Sequence, residues 1–240
     1  MRCWLRWRSF RPELRHRRRR STGLRHSLVL ALAVKPQRLI QAAQSIKPML
    51  PADALVISIV AGVSTETLMD QLGTPYIVRA MPNTSSQIGM GMTVWMKTAQ
   101  VDERMKALAT QVIQTLGDEV FVEDEAYLDM ATALSGTGPA YVFLFMEAMI
   151  DAGVHMGFPR RIAEQLVVQT LRGSTEFYAV NHAHPARLRN DVTSPGGTSA
   201  EALYYLEKAG FRTAISRAIW AAYQRSKELG EGRLKGKLEE

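Results

Sequence analysis

The sequence lacks the residues that disulfides and metal clusters require. Cys3 is its only cysteine, so neither an internal disulfide nor a cysteine metal site can form. His155, His182 and His184 do not have the spacing of metal ligands with acids or with one another. We therefore expect no bound metal, and we expect the protein to work in a reducing compartment, the cytoplasm.

Several nucleotide-binding and catalytic motifs are missing as well. The sequence contains no GxGxxG, no GxxxxGK phosphate-binding loop and no Gly-x-Ser-x-Gly nucleophile turn. No apolar run reaches the ~18 residues that a membrane-spanning helix needs. These absences remove the signatures of a P-loop nucleotidase and of a serine hydrolase, and we expect no membrane partner.

Positive charge is concentrated at the start of the chain. Residues 1–26 contain ten arginines and one acid, Glu13, which gives this Arg-rich head a charge of +9. The whole chain carries +7, so the remaining 214 residues together carry −2. The body therefore has no basic stripe of the kind that binds nucleic acid, and we expect no nucleic-acid partner.

The Arg-rich head has neither helical nor strand periodicity, and we expect it to be disordered. Its wealth of Arg and Ser and its shortage of acids fit a transit peptide. Runs of Arg also serve as patches for nucleic acid or membranes. We favour a third interpretation, a wrongly assigned start in which out-of-frame sequence replaces the true N-terminus.

Strand and helix patterns alternate from Ser27 to Glu125. Apolar runs predict three strands, of which the first is expected to be buried on both faces, at 27–34, 54–61 and 75–82. Two shorter strands are predicted at 93–96 and 119–124. Helical spacing lies between them, with Pro36 at a helix start and Gly73 at a helix end. The alternation predicts a doubly wound α/β domain over residues 27–125.

The strand patterns stop after Glu125, and residues 126–240 are predicted to be all-α. Helical patterns fill six segments: 126–134, 139–156, 159–180, 185–193, 198–209 and 212–229. The segment YVFLFMEAMIDAGVHMG, residues 141–157, is too apolar for a surface helix of a monomer. We favour an intertwined dimer, with burial in a monomeric core as the alternative.

Ligands of open α/β sheets bind beyond the carboxyl ends of the strands. The predicted strand ends are residues 33–36, 61–64 and 80–84. Pro36 and Pro82 make two of these turns rigid, and the amide of Asn83 suits a carboxamide or a sugar hydroxyl. A Pro-Asn sequence is more often only a turn, so these residues by themselves do not identify a site.

Two glycine-rich turns precede helices in the all-α half, at residues 135–139 and 193–199. Glycines let a ligand approach the backbone, and the free N–H groups of a helix start favour an anion. Thr198 and Ser199 add hydroxyl donors, so a small carboxylate or a phosphate fits the second turn. The alternative is N-capping with a tight helix crossing, and the sequence leaves the two interpretations open.

These motifs together resemble the pyrroline-5-carboxylate reductase family. The resemblance runs from about Ser27 to about Leu229 and is carried, in the family's order, by AVKPQ at 33–37, VRAMPNT at 78–84, ALSGTGPAYVFLF at 133–145, MGFPRRIAEQL at 156–166 and NDVTSPGGTSAEAL at 190–203. It implies an incomplete Rossmann-like dinucleotide-binding domain followed by a helical substrate and dimerisation domain. The implied reaction is reduction of 1-pyrroline-5-carboxylate to L-proline by NADPH or NADH, in a homodimer or higher homo-oligomer.

The resemblance also assigns site residues position by position. It implies cofactor contacts at Ala33, Val34, Lys35 and Pro36, and at Ala80, Met81, Pro82 and Asn83. It implies that the substrate carboxylate is held by the turn of Gly196, Gly197, Thr198 and Ser199. For the implied reaction we expect Ser199, or alternatively Thr198 or a water, to assist protonation of the ring nitrogen. Asp191 and Glu125 match two further positions close to the substrate.

The sequence departs from the family pattern at its start and at one site residue. Family members begin with a strand, GxGxxG and a helix, so about thirty residues before AVKP are expected to be missing or replaced by the Arg-rich head. That segment supplies the pyrophosphate-binding helix start and the residue that chooses between NADP and NAD. Asp191 replaces a neutral amide, and we expect it to repel the substrate carboxylate.

Two hypotheses from other functional classes stay open at this stage. The first is a truncated homologue that acts only as a helical oligomerisation protein. The second is a nucleic-acid or membrane binder that depends on the Arg-rich head.

Overall fold

The computed structural model describes residues 29–230, and the Arg-rich head lies outside the described residues. Within them five strands form one sheet: β1 Val29–Leu32, β2 Leu55–Ser58, β3 Ile77–Met81, β4 Gly91–Lys97 and β5 Gly117–Phe121. The α-helices are α1 Leu39–Ile46, α2 Thr65–Leu72, α3 Glu103–Gln114, α4 Ala126–Ala131, α5 Gly138–His155, α6 Arg160–Asn181, α7 Pro185–Asp191, α8 Thr198–Lys208 and α9 Phe211–Gly230. Every predicted strand and helix of the body is found, with shifted ends.

The sheet is mixed, with its strands in sequence order from β1 to β5. β1, β2 and β3 run parallel to one another, whereas β4 is antiparallel to β3 and parallel to β5. The reversal has a local cause: β3 and β4 are joined by the short 3₁₀ turn Thr84–Ile88, and a parallel return needs a crossover of a dozen or more residues. The α/β class predicted for this half is confirmed.

The sheet is covered on both faces by apolar side chains. One buried cluster combines residues of β2 and β3 with α1 and α2, and includes Val56, Leu68 and Ile77. The other combines the opposite face with α3, and includes Trp95 and Ile113. Because both faces of the sheet are covered, the central strands consist of nearly continuous apolar residues.

β1 differs from its prediction. It was expected to be buried on both faces, but Leu32 alone in it is fully buried and Ala31 is exposed. β1 is the end strand of the described sheet, so one side of it has no neighbouring strand among residues 29–230 to cover it.

Helix ends follow the signals in the sequence. The side chain of Ser64 accepts a hydrogen bond from Thr67 N, which caps the start of α2. Gly73 ends α2 in the left-handed conformation, with φ of 71°. Asp102 caps α3 in the same way as Ser64 caps α2, through Met105 N. These caps fix where α2 and α3 begin, and so where the turns before them end.

The described residues divide into two compact units. Residues 29–139 and 221–230 form the first, called the sheet unit below, and residues 140–220 form the second, called the helical unit. The domain division predicted at residues 125–126 stays a prediction; residues 126–139 and the end of α9 group with the sheet unit by their contacts.

The helical unit exposes a large amount of apolar side-chain surface. Exposed fractions reach 59% at Phe143, 68% at Leu144, 60% at Tyr205 and 62% at Trp220. By length and composition the stretch Ala126–His155 would suit a membrane span, and only 6% of its most apolar window is buried. From the sequence we expected no apolar run long enough to span a membrane, whereas this helical stretch meets the length and composition of one. A soluble monomer rarely leaves so large an apolar surface uncovered.

Candidate active site

The carboxyl ends of β1, β2 and β3 meet at one edge of the sheet, because the three strands are adjacent and parallel. Backbone contact continues past the strands, where Ile59 N donates to Leu32 O at 3.0 Å. The two turns predicted to bind cofactor, residues 33–36 and 80–83, therefore share this edge. They are two strands apart, a separation of about 10 Å.

The turn after β1 presents its backbone and one cation. Ala33, Lys35 and Pro36 are exposed, and Val34 is half-buried. Lys35 precedes the 3₁₀ turn Pro36–Arg38, and its carbonyl accepts from Arg38 N at 2.8 Å. Among residues 29–230 its ammonium has no ion pair, which leaves the charge available to an anionic ligand.

The turn after β3 is held by its own neighbours. Ala80 is only 3% exposed and lies in the apolar cluster with Trp95, so its backbone rather than its methyl group can meet a ligand. The amide of Asn83 is already engaged: its Oδ1 accepts from Met92 N at 3.3 Å, and its Nδ2 donates to Ser135 Oγ at 3.4 Å. Asn83 therefore stabilises this turn, and its predicted contact with the cofactor stays a prediction.

Arg79 lies immediately before that turn and is buried, with 7% of its side chain exposed. Its Nη1 is 2.7 Å from Oε1 of Glu125, and its Nη2 is 3.7 Å from Oδ1 of Asp129. Asp129 Oδ1 also accepts from Ser226 Oγ at 2.7 Å. A guanidinium so far from water needs such carboxylates close by.

Glu125 lies within the sheet unit and its carboxylate is fully engaged. Oε1 accepts from Thr65 N at 2.8 Å as well as from Arg79, and Oε2 accepts from Thr65 Oγ1 at 3.0 Å. It thus occupies the start of α2, where free N–H groups attract an anion. Its assignment as a substrate contact stays a prediction, and these contacts favour a role in joining β3, α2 and α4.

A shallow pocket of about 230 Å³ opens beside this cluster. Ser64, Arg79, Glu125 and Lys227 line it, so charges of both signs face the same space. All of these residues belong to the sheet unit.

For the first glycine-rich turn the structure favours the second of the two interpretations, close packing against a neighbouring element. Thr132–Gly136 form a π-helical turn between α4 and α5, in which Thr137 N donates to Thr132 O at 2.8 Å. The N–H of Thr137 is used inside the helix and is not offered to an anion. A Cβ at Gly136 would lie 2.8 Å from Met81 Cε, so this turn packs against the last residue of β3.

The second glycine-rich turn, in the helical unit, does form an open helix start. Gly196 has φ of 70°, and Gly197 N donates to Ser194 O at 3.0 Å. α8 then begins at Thr198 after Gly197, which has no side chain with which to cap it. The first N–H groups of a helix have no acceptor within it, so those of Thr198 and Ser199 can bind a small anion.

Asp191 ends α7 and is exposed. Arg187 Nε lies 4.0 Å from its Oδ2, one helical turn earlier, which offsets part of the carboxylate's charge. The nearby Thr193 hydroxyl bonds to Arg189 O at 2.7 Å instead of to Asp191. The predicted repulsion of a substrate carboxylate by Asp191 stays a prediction, weakened by this arginine.

Sequence patterns do not single out Arg79 or Asp129. One signal was present for Arg79: it is the only charged residue in the otherwise apolar strand IVRAM. Arginine is rarely buried without a partner, so its position there predicts an acid packed against the strand. Nothing in the sequence identifies Glu125 and Asp129 as those acids.

Comparisons with known proteins agree with the resemblance. Residues 125–229 match the family model described as pyrroline-5-carboxylate reductase dimerisation. The chain is 44% identical over 210 residues to a pyrroline-5-carboxylate reductase of Synechocystis sp., covering 85% of the chain and 76% of that protein. It is 37% identical over 206 residues to one of Pisum sativum, covering 86% and 75%.

Solved structures give the same result. The pyrroline carboxylate reductase of Plasmodium falciparum, with NADP bound, superimposes with a TM-score of 0.82 at 36% identity, over 86% of this chain and 79% of that one. A pyrroline-5-carboxylate reductase of Coxiella burnetii gives a TM-score of 0.79 at 37% identity, over 87% and 78%. The similarity extends over both the strand-and-helix half and the helical half.

Proposed function

The chain belongs to the pyrroline-5-carboxylate reductase family, and we propose that it reduces 1-pyrroline-5-carboxylate to L-proline with NADPH or NADH, the last step of proline biosynthesis. The observation that carries this function is the 36% identity and TM-score of 0.82 to an NADP-bound family structure over 86% of the chain. Because the match includes both halves, a purely oligomerising role is not favoured.

The residues present fit part of a nicotinamide dinucleotide. At the shared edge Ala33, Lys35 and Pro36 are exposed and residues 81–83 are half-buried, and Lys35 adds a cation suited to a phosphate oxygen. When bound, the cofactor supplies the hydride that reduces the imine carbon. Ala33, Val34, Lys35 and Pro36 are proposed to hold it on one side, and Ala80, Met81, Pro82 and Asn83 on the other.

The substrate carboxylate is proposed to bind at the start of α8. The N–H groups of Thr198 and Ser199 and their hydroxyls provide donors, and Gly196 and Gly197 leave the backbone accessible. Ser199 Oγ is proposed to hydrogen-bond the ring nitrogen and to assist its protonation, with Thr198 as the second candidate. A protonated imine accepts hydride directly, so the protein's main tasks are positioning and exclusion of water.

Self-association is proposed through residues 125–229, the part of the chain that matches the dimerisation model. The apolar side chains exposed on α5 and α8 support a homodimer or higher homo-oligomer, because a second copy would cover them. Glu147 and Asp151 lie within the apolar stretch Ala126–His155, which argues for an interface and against a membrane span. We propose a cytoplasmic enzyme with no membrane or nucleic-acid partner.

The test is reduction of 1-pyrroline-5-carboxylate by the full chain, followed by the absorbance of the reduced cofactor and by the appearance of proline. NADPH and NADH are compared separately, and Ser199→Ala serves as the impaired control. Cofactor consumption that depends on the imine and yields proline supports the proposal. Absence of proline with both cofactors would contradict it for this chain.

A further inference from the structure

One segment of the sheet unit contacts β3 and the turn that follows it at every second residue. Arg79, Met81 and Asn83 point to the same side of the chain, because successive side chains of an extended strand alternate. Each of them meets residues 125–136, which we call the brace. The backbone of Asn83 is still extended, with φ of −115° and ψ of 174°, so the alternation continues past the end of β3.

The strongest of the three contacts is that of Arg79. Its guanidinium spans two carboxylates of the brace, Glu125 at 2.7 Å and Asp129 at 3.7 Å. These two residues are four apart in the chain, one turn of a helix, so a single planar guanidinium reaches both. This arrangement fixes the rotation of α4 about its axis as well as its distance from the strand.

The two carboxylates extend the connection beyond the brace. Glu125 accepts from the backbone and hydroxyl of Thr65, the first residue of α2, which follows the turn after β2. Asp129 accepts from Ser226 of α9 at 2.7 Å. Arg79 is therefore the centre of a network that connects the turn after β3 to the turn after β2.

A buried ion pair is a poor way to stabilise a fold. Replacing one by apolar residues of similar volume is often neutral or stabilising, because the charges lose their hydration when they are buried. The charged cluster instead restricts how the brace is oriented relative to β3, because the planar guanidinium binds carboxylates only in a narrow range of positions. The four residues after Arg79 are those proposed to contact the cofactor, so the orientation of the chain here affects how the cofactor is held.

We infer that Arg79 is a positioning residue, which holds the cofactor-binding turn of residues 80–83 in place through Glu125 and Asp129. The inference rests on the proposed function in assigning that turn to the cofactor. The side chain of Arg79 is 7% exposed and acts through its two carboxylate partners, with no part in the chemistry. Its loss displaces the turn and so weakens cofactor binding and misaligns the hydride donor.

The test uses two variants of the full chain and a matched control. Arg79→Lys keeps one charge but cannot span both carboxylates. The double variant Arg79→Met with Glu125→Gln removes the pair without leaving Glu125 charged and unpaired, and we expect it to fold if Arg79→Lys does not. Arg104→Lys is the control, because Arg104 is an exposed arginine of α3 in the same unit.

Three measurements follow the position of the turn. Amide hydrogen exchange of a peptide covering residues 80–92 is expected to be faster in both variants without cofactor. The dissociation constant for NADPH, from fluorescence titration, is expected to rise about tenfold. With NADPH deuterated at both C4 positions, the isotope effect on kcat is expected to increase, because misalignment slows hydride transfer most.

A purely structural role predicts a different result. It predicts that the double variant melts at a lower temperature while its exchange, NADPH affinity and isotope effect match those of Arg104→Lys. If those three readouts match, whether or not the melting temperature changes, Arg79 is not a positioning residue. If the wild type binds NADPH but makes no proline, the proposed function fails while affinity and exchange still decide the role of Arg79. If the wild type binds no cofactor, both proposals are overturned.

Discussion

Arg79 and Glu125 are 46 positions apart in the sequence, and Nη1 of the arginine lies 2.7 Å from Oε1 of the glutamate. The pair joins a sheet strand to the first residue of the segment that matches the family's dimerisation model. Arg79 precedes the predicted cofactor-binding turn, Glu125 is itself a predicted substrate contact, and their pairing is not visible in the sequence. Four expectations follow from this pair and from the helical unit.

Glu125→Gln should destabilise the protein. The amide cannot neutralise Arg79, whose charge is then left buried with only the more distant Asp129. Since the side chain of Glu125 is 30% exposed, we expect a loss of about 2 kcal/mol, below the usual range for a fully buried pair. Urea unfolding at fixed protein concentration measures it. Asp53→Asn, at an exposed turn, is the control, and an equal effect of the two changes would refute the expectation.

Ser199→Ala should impair turnover more than it impairs substrate binding. The backbone N–H of residue 199 remains to hold the carboxylate, while the hydroxyl proposed to protonate the ring nitrogen is lost. We expect kcat to fall about a hundredfold with a small change in KM for the imine. Ser199→Thr, which keeps the hydroxyl, should retain most activity. Equal activity of the alanine and threonine variants would remove Ser199 from this role.

Gly197→Val should raise KM for 1-pyrroline-5-carboxylate. A Cβ at this position would lie 3.2 Å from Ser194 O, and the branched side chain would fill the space above the start of α8. We expect an increase of about tenfold or more, from steady-state kinetics. NADPH affinity is the internal control, because the turn belongs to the substrate half. Unchanged KM together with weakened NADPH binding would contradict the assignment.

Leu144→Glu should disrupt self-association. Leu144 is 68% exposed on α5 in the single chain, and a carboxylate there would be costly to bury against a second copy. Light scattering after size exclusion should give the wild type at least twice the chain mass of 26.8 kDa, and the variant a smaller species. Glu147→Gln on the same helix is the control. A wild type that is already monomeric would argue against the proposed interface.

The fold class was readable from the sequence because it depends on local patterns. The buried strand LVIS is apolar except for Ser58, whose hydroxyl accepts from Val60 N at 3.3 Å. Ser64 and Gly73 mark helix ends through hydrogen bonds and backbone angles that are local. The helix start at Thr198 was equally readable, because the two glycines before it mark a turn and supply no capping side chain. These features need only neighbours in the chain.

Tertiary structure decided what depends on partners distant in sequence. It placed the turn Thr132–Gly136 against Met81 and engaged both oxygens of Glu125 with Thr65 and Arg79. A charged or amide side chain looks the same in sequence whether it meets a ligand or a neighbour. Only the packing of the brace against β3 shows that Glu125 is held by Thr65 and Arg79, and that Asn83 contacts Ser135.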